Sequence, residues 1–363
     1  MMIKKDKLAE IDVLRAISAL AVIAVHTTSS FVLIPLLNPL LLTVAYIGNL
    51  AGFAVPSFIF ISGLVLYKNH SILTEKLSIF YKKRFNRVLP IYLLFSMFYL
   101  AVRIIANLVH GNDIQINPIE IIYKLVTGGA QYHLWYFGIL FQLYLFYPLL
   151  IKLYNKYKFK FLIVSLIIQI IWSFVGNEVI KYSWLLVGQQ NHKFPFFFSH
   201  IFWFVLGFYF LENREKISKA INIKVGVLLI ILLNILRTAP LYFGLKQFTF
   251  NAIPEYYYYI TTAINPLFFL IEILVLYKLS LIIIQKKNTI TNALIKIGDY
   301  SLEIYLIHAF FISSLLVILA RLSINYEMVL FYPILWVGTF ALSFVFTYVY
   351  RKIKFTLTRF RIK

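Results

Sequence analysis

Apolar positions gather into stretches of about twenty residues, separated by short polar connections. Twenty residues of α-helix rise about 30 Å, the thickness of a bilayer's hydrocarbon core. The pattern predicts ten spanning helices, at 11–34, 40–67, 88–110, 132–151, 161–180, 195–211, 225–245, 257–284, 301–320 and 328–350. Between the first two, the run Pro35-Leu-Leu-Asn-Pro39 reads as a tight turn. The longest connections, 68–87 and 111–131, are too short for a soluble domain. The fold class expected is an all-α polytopic membrane protein, with residues 1–363 forming one membrane domain.

Composition agrees: 61% of residues are hydrophobic and 13% charged. A soluble domain carries roughly 45–50% apolar and 25% charged residues. The net charge is +21, and its placement decides what that means. The N-terminus, the connections at 68–87, 152–160, 212–224 and 285–300, and the tail from 351 hold 26 Lys and Arg. The opposite connections hold five: Lys124, Lys181, Lys193, Lys246 and Arg321. That asymmetry puts the first set, and both termini, on the cytoplasmic side. The basic residues then face anionic lipid headgroups, and nucleic acid is not an expected partner. Aromatic runs such as Tyr256 to Tyr259 suit the membrane interface. The first apolar run carries Arg15 and His26 and shows no small-residue cleavage site, so it reads as a retained helix. There is no cysteine, which excludes disulfides, thiolate ligands and a Cys nucleophile.

Ionisable side chains inside a membrane are costly and mark interior or water-filled surfaces. In the first span, Arg15 and His26 stand eleven residues apart. That is about 16 Å of rise and about 20° beyond three full turns, so both share one face. The face offers a fixed cation near the cytoplasmic mouth and a titratable base about halfway across. Arg84 and Arg87, three apart before the third span, can grip a phosphate group together. His133 and Trp135 open the fourth span at its outer end, as an interface belt or a sugar-stacking surface. In the ninth span, Asp299 and Ser301 read as residues that start the helix. Tyr305 and His308 follow on a shared face, with core packing as their plainer role. Glu272 has Arg237 and Arg103 as candidate charge partners, and Asn234 and Asn265 add further polar groups. The chain has no P-loop, HExxH or GxSxG motif, which disfavours an ATP-driven pump and a membrane metalloprotease. No metal site is expected.

Four stretches resemble the acyltransferase-3 family of integral membrane acyltransferases: IDVLRAISALAVIAVH at 11–26, AVPSFIFISGLVLYK at 54–68, YKKRFNRVLPIY at 81–92 and IGDYSLEIYLIH at 297–308. HLWYFGILFQLYLFYP at 133–148 is a fifth, looser match. Their order and spacing make the resemblance specific, and it covers nearly the whole chain. Many family members carry an acidic residue in that fifth stretch, where this chain has Leu140, Phe141 and Gln142. In this it is similar to the subgroup of surface polysaccharide O-acyltransferases and intercellular-adhesin export proteins.

The resemblance implies a protein of the bacterial cell membrane. It implies transfer of an acyl group, commonly acetyl, from cytoplasmic acyl-CoA to a hydroxyl of a cell-envelope glycan or lipid-linked sugar. Acyl-CoA is then a co-substrate, with no bound cofactor, and glycan-synthesis proteins are natural partners. Arg15 and His26 become the functional pair, and Arg84 and Arg87 the basic pair at the donor. An exporter or flippase of a surface polysaccharide is the alternative. It needs the same polar interior but no acyl donor.

Overall fold

The computed structural model describes residues 8–29, 39–69, 76–111, 117–183, 195–245 and 255–360. The proposed 35–39 turn and the side chains of Tyr256 to Tyr259, Lys181, Lys193 and Lys246 lie outside what is described. All regular elements among the described residues are helical. They are α1 (Ala9–Ser29), α2 (Pro39–Leu50), α3 (Ala54–Asn69), α4 (Leu77–Val109), α5 (Pro118–Thr127) and α6 (Trp135–Tyr157). α7 (Phe159–Ser183), α8 (Ile201–Ala220), α9 (Ile223–Leu245), α10 (Glu255–Gln285), α11 (Thr289–Arg321) and α12 (Phe331–Phe360) follow. Single 3₁₀ turns at Ala51–Phe53 and Phe197–His200 lead into α3 and α8.

Among the described residues, eight helices are long and apolar enough to cross a membrane. The count reaches nine if Phe197–Ala220 and Ile223–Thr238, bent by 98° at their break, form one span. The protein is an all-α integral membrane protein, as expected from the sequence. The two spans expected at 195–211 and 225–245 are this bent pair. The apolar part of α8 stops at Leu211, before Glu212-Asn-Arg-Glu-Lys216, and is too short to cross alone.

The chain divides into two units, one formed by Met1–Phe58 with Glu215–Lys363 and the other by Ile59–Arg214. In the first, α1 packs most extensively on α11 and also touches α2, α10 and α12. Lipid supplies no hydrophobic drive between helices, so spans associate where small residues let backbones approach. Gly298 of α11 is such a point: a Cβ there would lie 1.8 Å from the Asp12 carbonyl oxygen of α1. Buried Ile11, Val13, Ala16 and Ala19 of α1 line the core with Ile304, Ile307 and Ala309 of α11. The Ser18 hydroxyl meets that of Ser57 at 2.8 Å, joining α1 to the first turn of α3. Trp336 Nε1 of α12 donates to the Leu20 carbonyl at 3.2 Å.

Asp299 and Ser301 do not start a helix. α11 begins ten residues earlier, where the Asn288 side chain accepts from Thr291 N at 2.9 Å. Hydropathy misses this first stretch because Thr289, Thr291, Asn292 and Lys296 interrupt its apolar residues. Arg351 of α12 instead grips Asp299 Oδ2 at 2.6 Å and Glu303 at 2.9 and 2.8 Å. A forked guanidinium over two carboxylates suits a helix pair better than a point charge would.

In the second unit, α3 and α8 meet at two glycines. An added Cβ would lie 2.1 Å from the Phe204 carbonyl oxygen at Gly63, and 2.4 Å from that of Phe60 at Gly207. The Ser-Gly end of the 54–68 stretch is therefore a helix crossing. Around it, Phe204, Phe208, Tyr147 and Tyr67 pack edge to face or stacked. Glu212 accepts from Tyr154 OH at 2.8 Å, Lys158 Nζ at 2.5 Å, and Tyr67 OH. α5 starts at Asn117, whose side chain caps Ile119 N at 3.0 Å, and ends at Gly128 with φ 79°. Gly128 sits so close to Leu134 O that a Cβ would lie 2.3 Å from it.

Candidate functional site

The first unit gathers five of the residues singled out in sequence. His26 near the end of α1 and His308 of α11 stack, with ring centroids 5.2 Å apart and planes 28° from parallel. His308 is fully buried and His26 partly exposed. His308 Nδ1 lies 2.6 Å from the Tyr305 carbonyl. A carbonyl oxygen can only accept, so Nδ1 carries the hydrogen, and in the neutral ring Nε2 keeps the lone pair. Tyr305 is buried beside this ring, 5.7 Å away, and meets Phe58 edge-on at 6.2 Å. The deeper histidine is thus fixed in tautomer and plane, and the more accessible one rests against it.

Arg15 lies two thirds of the way back along the same helix. Its Nη1 donates to Asp12 Oδ1 at 2.9 Å, one turn below. Sequence reasoning missed Asp12, although the three-residue spacing is the signal for such a pair. Asp12 is 1% exposed and its backbone seats Gly298, so the partner of Arg15 is anchored where α1 and α11 cross.

Glu272 of α10 is buried, and the charge acting on it is Arg237 of α9. The other partner weighed, Arg103, belongs to the second unit. Arg237 lies over the rings of Phe268 and Phe269, 4.3 and 5.1 Å from their centroids.

The second unit holds the other four. Arg84 and Arg87 sit two to three turns inside α4, not at its start. Arg84 is half-buried with its guanidinium 5.7 Å from the Phe80 ring, and Arg87 is exposed. His133 is fully buried, edge-on to Tyr99 and Tyr132 at 5.5 Å each. Trp135 is half-buried and tilted against His200 at 5.5 Å. His200 escaped notice in sequence. Its Nδ1 is 2.8 Å from Ser199 Oγ, but that hydroxyl donates to the Phe196 carbonyl at 2.7 Å. The serine therefore accepts from the imidazole, the reverse of an activated nucleophile.

Gln142, one of the three residues noted above in the 133–148 stretch, bridges α6 to the segment before α8. Its Nε2 donates to Gly138 O at 3.0 Å and Pro195 O at 2.5 Å, and its Oε1 accepts from Phe197 N at 3.3 Å. A carboxylate cannot donate to two carbonyls. Gln142→Glu is expected to lower stability by about 1–3 kcal/mol, the cost of leaving such groups unpaired. The thermal midpoint of the detergent-purified protein measures it, and an unchanged midpoint would contradict this role. No group of three His, Cys, Asp or Glu among the described residues is placed to hold a metal ion.

A protein-family model described as an acyltransferase domain matches residues 8–348. Curated proteins and solved structures give no significant match. The matched range runs from the first turn of α1 into α12 and takes in the stacked histidines, Arg15 and the basic pair of α4. The chain belongs to the acyltransferase-3 family, and its activity is acyl transfer by an integral membrane protein.

Proposed function

We propose that the protein transfers an acetyl or similar acyl group from cytoplasmic acyl-CoA to a hydroxyl of a cell-envelope glycan, in the bacterial cytoplasmic membrane. The observation that carries this reading is the His26–His308 stack, on the helix that also carries Arg15, in a family of acyltransferases. His26 takes the proton of the acceptor hydroxyl as that oxygen attacks the thioester carbonyl. The carbon–sulfur bond breaks, and the leaving CoA sulfur receives the proton, so the ring returns to its starting state. In a two-step variant His26 first accepts the acyl group and then passes it on. A thioester is already activated, so neither route needs ATP. Arg15 supplies positive charge for the phosphates of CoA, and Arg84 and Arg87 are a basic pair of chemistry suited to the same groups. The basic connections keep these groups on the cytoplasmic side.

The direct test uses acetyl-CoA labelled in the acetyl group, with membranes that contain or lack the protein. Label is expected in extractable glycan only where the protein is present. Equal labelling across a panel of acyl donors and glycan acceptors would remove the transferase reading. Glycan export would then be measured instead.

A further inference from the structure

Four polar residues of the first unit lie deep in α9 and α10. On α10, Asn265, Phe268, Phe269 and Glu272 follow at i, i+3, i+4 and i+7, so they share one face. On α9, Asn234 and Arg237 are three apart, and α9 and α10 pack together along their length. Asn234 Nδ2 donates to Tyr46 O at 3.3 Å and Arg237 Nη1 to Asn49 O at 3.2 Å, which ties both to α2.

These contacts leave an imbalance. Asn234 Oδ1, Asn265 Oδ1 and Glu272 Oε2 are all buried and receive no hydrogen bond. Asn234 is 0% exposed and Glu272 3%. Buried polar oxygens without partners are costly in a membrane protein's interior, and polar groups from outside the chain would satisfy them. Water can supply such groups, and so can the hydroxyls of a bound ligand. CoA phosphates bring only acceptors to this spot. A metal cation is opposed by the guanidinium of Arg237. A polyol brings several O–H donors and can also accept from Arg237.

α2, whose carbonyls hold Asn234 and Arg237, also packs on the end of α1. Gly48, next to Asn49, is so close to α1 that an added Cβ would lie 2.5 Å from Thr28 Oγ1. Thr28 is two residues beyond His26.

We propose that Asn234, Asn265 and Glu272 form the subsite that binds hydroxyl groups of the acyl acceptor. This rests on the acyl-transfer reading above and assigns its second substrate a place. Transfer of labelled acetyl from acetyl-CoA is measured in membranes while glycan extracted from the host envelope is titrated. The variants are Asn265→Leu and Glu272→Gln. Asn265→Leu removes an acceptor that has no donor, so its thermal midpoint is expected to hold or rise. Its KM for glycan is expected to rise about tenfold, the worth of one hydrogen bond, with the KM for acetyl-CoA within about twofold. Glu272→Gln keeps the shape and is expected to move the same KM in the same direction. If the wild type transfers acetyl and neither variant changes the glycan KM, the subsite is wrong and the acyl-transfer reading stands. A lowered midpoint in both variants with an unchanged glycan KM would show a purely structural cluster. If the wild type transfers nothing from any donor, the acyl-transfer reading falls and the subsite with it.

Discussion

His26→Ala membranes are expected to lose acyl transfer by about 10²–10⁴-fold at equal protein level, the range that a positioned general base contributes. The substitution removes the more accessible ring of the stack and leaves the buried His308 hydrogen-bonded to Tyr305 O at 2.6 Å. The fold has little reason to respond, because a stacked aromatic pair is worth only about 0.5–1.5 kcal/mol. His308→Phe provides the contrast. It keeps a flat ring against His26 but deletes the Nδ1 hydrogen bond, so a smaller loss is expected, with the midpoint lowered by roughly 1 kcal/mol of stability. Initial rates at saturating acetyl-CoA, with protein quantified in the same membranes, separate the two. Activity within threefold of wild type in His26→Ala would assign the chemistry to another group.

Gly298→Val is expected to have the largest effect on folding. A Cβ at this position would lie 1.8 Å from the Asp12 carbonyl oxygen and 2.6 Å from its carbon. Those are backbone atoms of a buried helix, and they cannot swing aside as a side-chain tip can. Overpacking of this kind costs about 1–3 kcal/mol where the surroundings adjust, and more where they do not. The same shift displaces Asp12, whose carboxylate holds Arg15 at 2.9 Å. Activity should therefore fall even in the molecules that fold. Gly338→Ala is the control: its nearest neighbour is the end of the flexible Leu315 side chain at 3.1 Å. Monodisperse yield and thermal midpoint in detergent report on both. A Gly298→Val protein as stable as Gly338→Ala would mean that α1 and α11 do not meet closely at this point.

Hydropathy makes the spanning helices legible, because it depends only on local composition and periodicity. What stays hidden depends on length or on partners far along the chain. The start of α11 escapes a hydropathy reading because Thr289, Thr291, Asn292 and Lys296 interrupt its apolar residues. The bent α8–α9 pair reads as two spans because a window over apolar residues does not see a break at 221–222. His308 is visible as a residue but not as the ring beside His26, since nothing local links positions 26 and 308. Asp299 and Glu303 look like isolated acids until Arg351 is seen between them. In sequence, Gln142 stands out only as one of three residues in a stretch that resembles the family's but lacks an acid. Its three hydrogen bonds, two of them to residues more than fifty positions away, give the physical reason for an amide.

The order of the two units along the chain has a consequence for biogenesis. Residues 59–214 interrupt the unit that holds α1, and α11 comes near the C-terminal end. Asp12 and Gly298 are almost three hundred residues apart. At roughly 5–20 residues per second of translation, α1 waits about 15–60 s for the helix that covers it. Throughout that interval a nascent span exposes an Asp, an Arg and a His that its final neighbours have yet to shield. The insertion machinery must hold this polar helix open through most of synthesis, and release it only when the last quarter of the protein arrives.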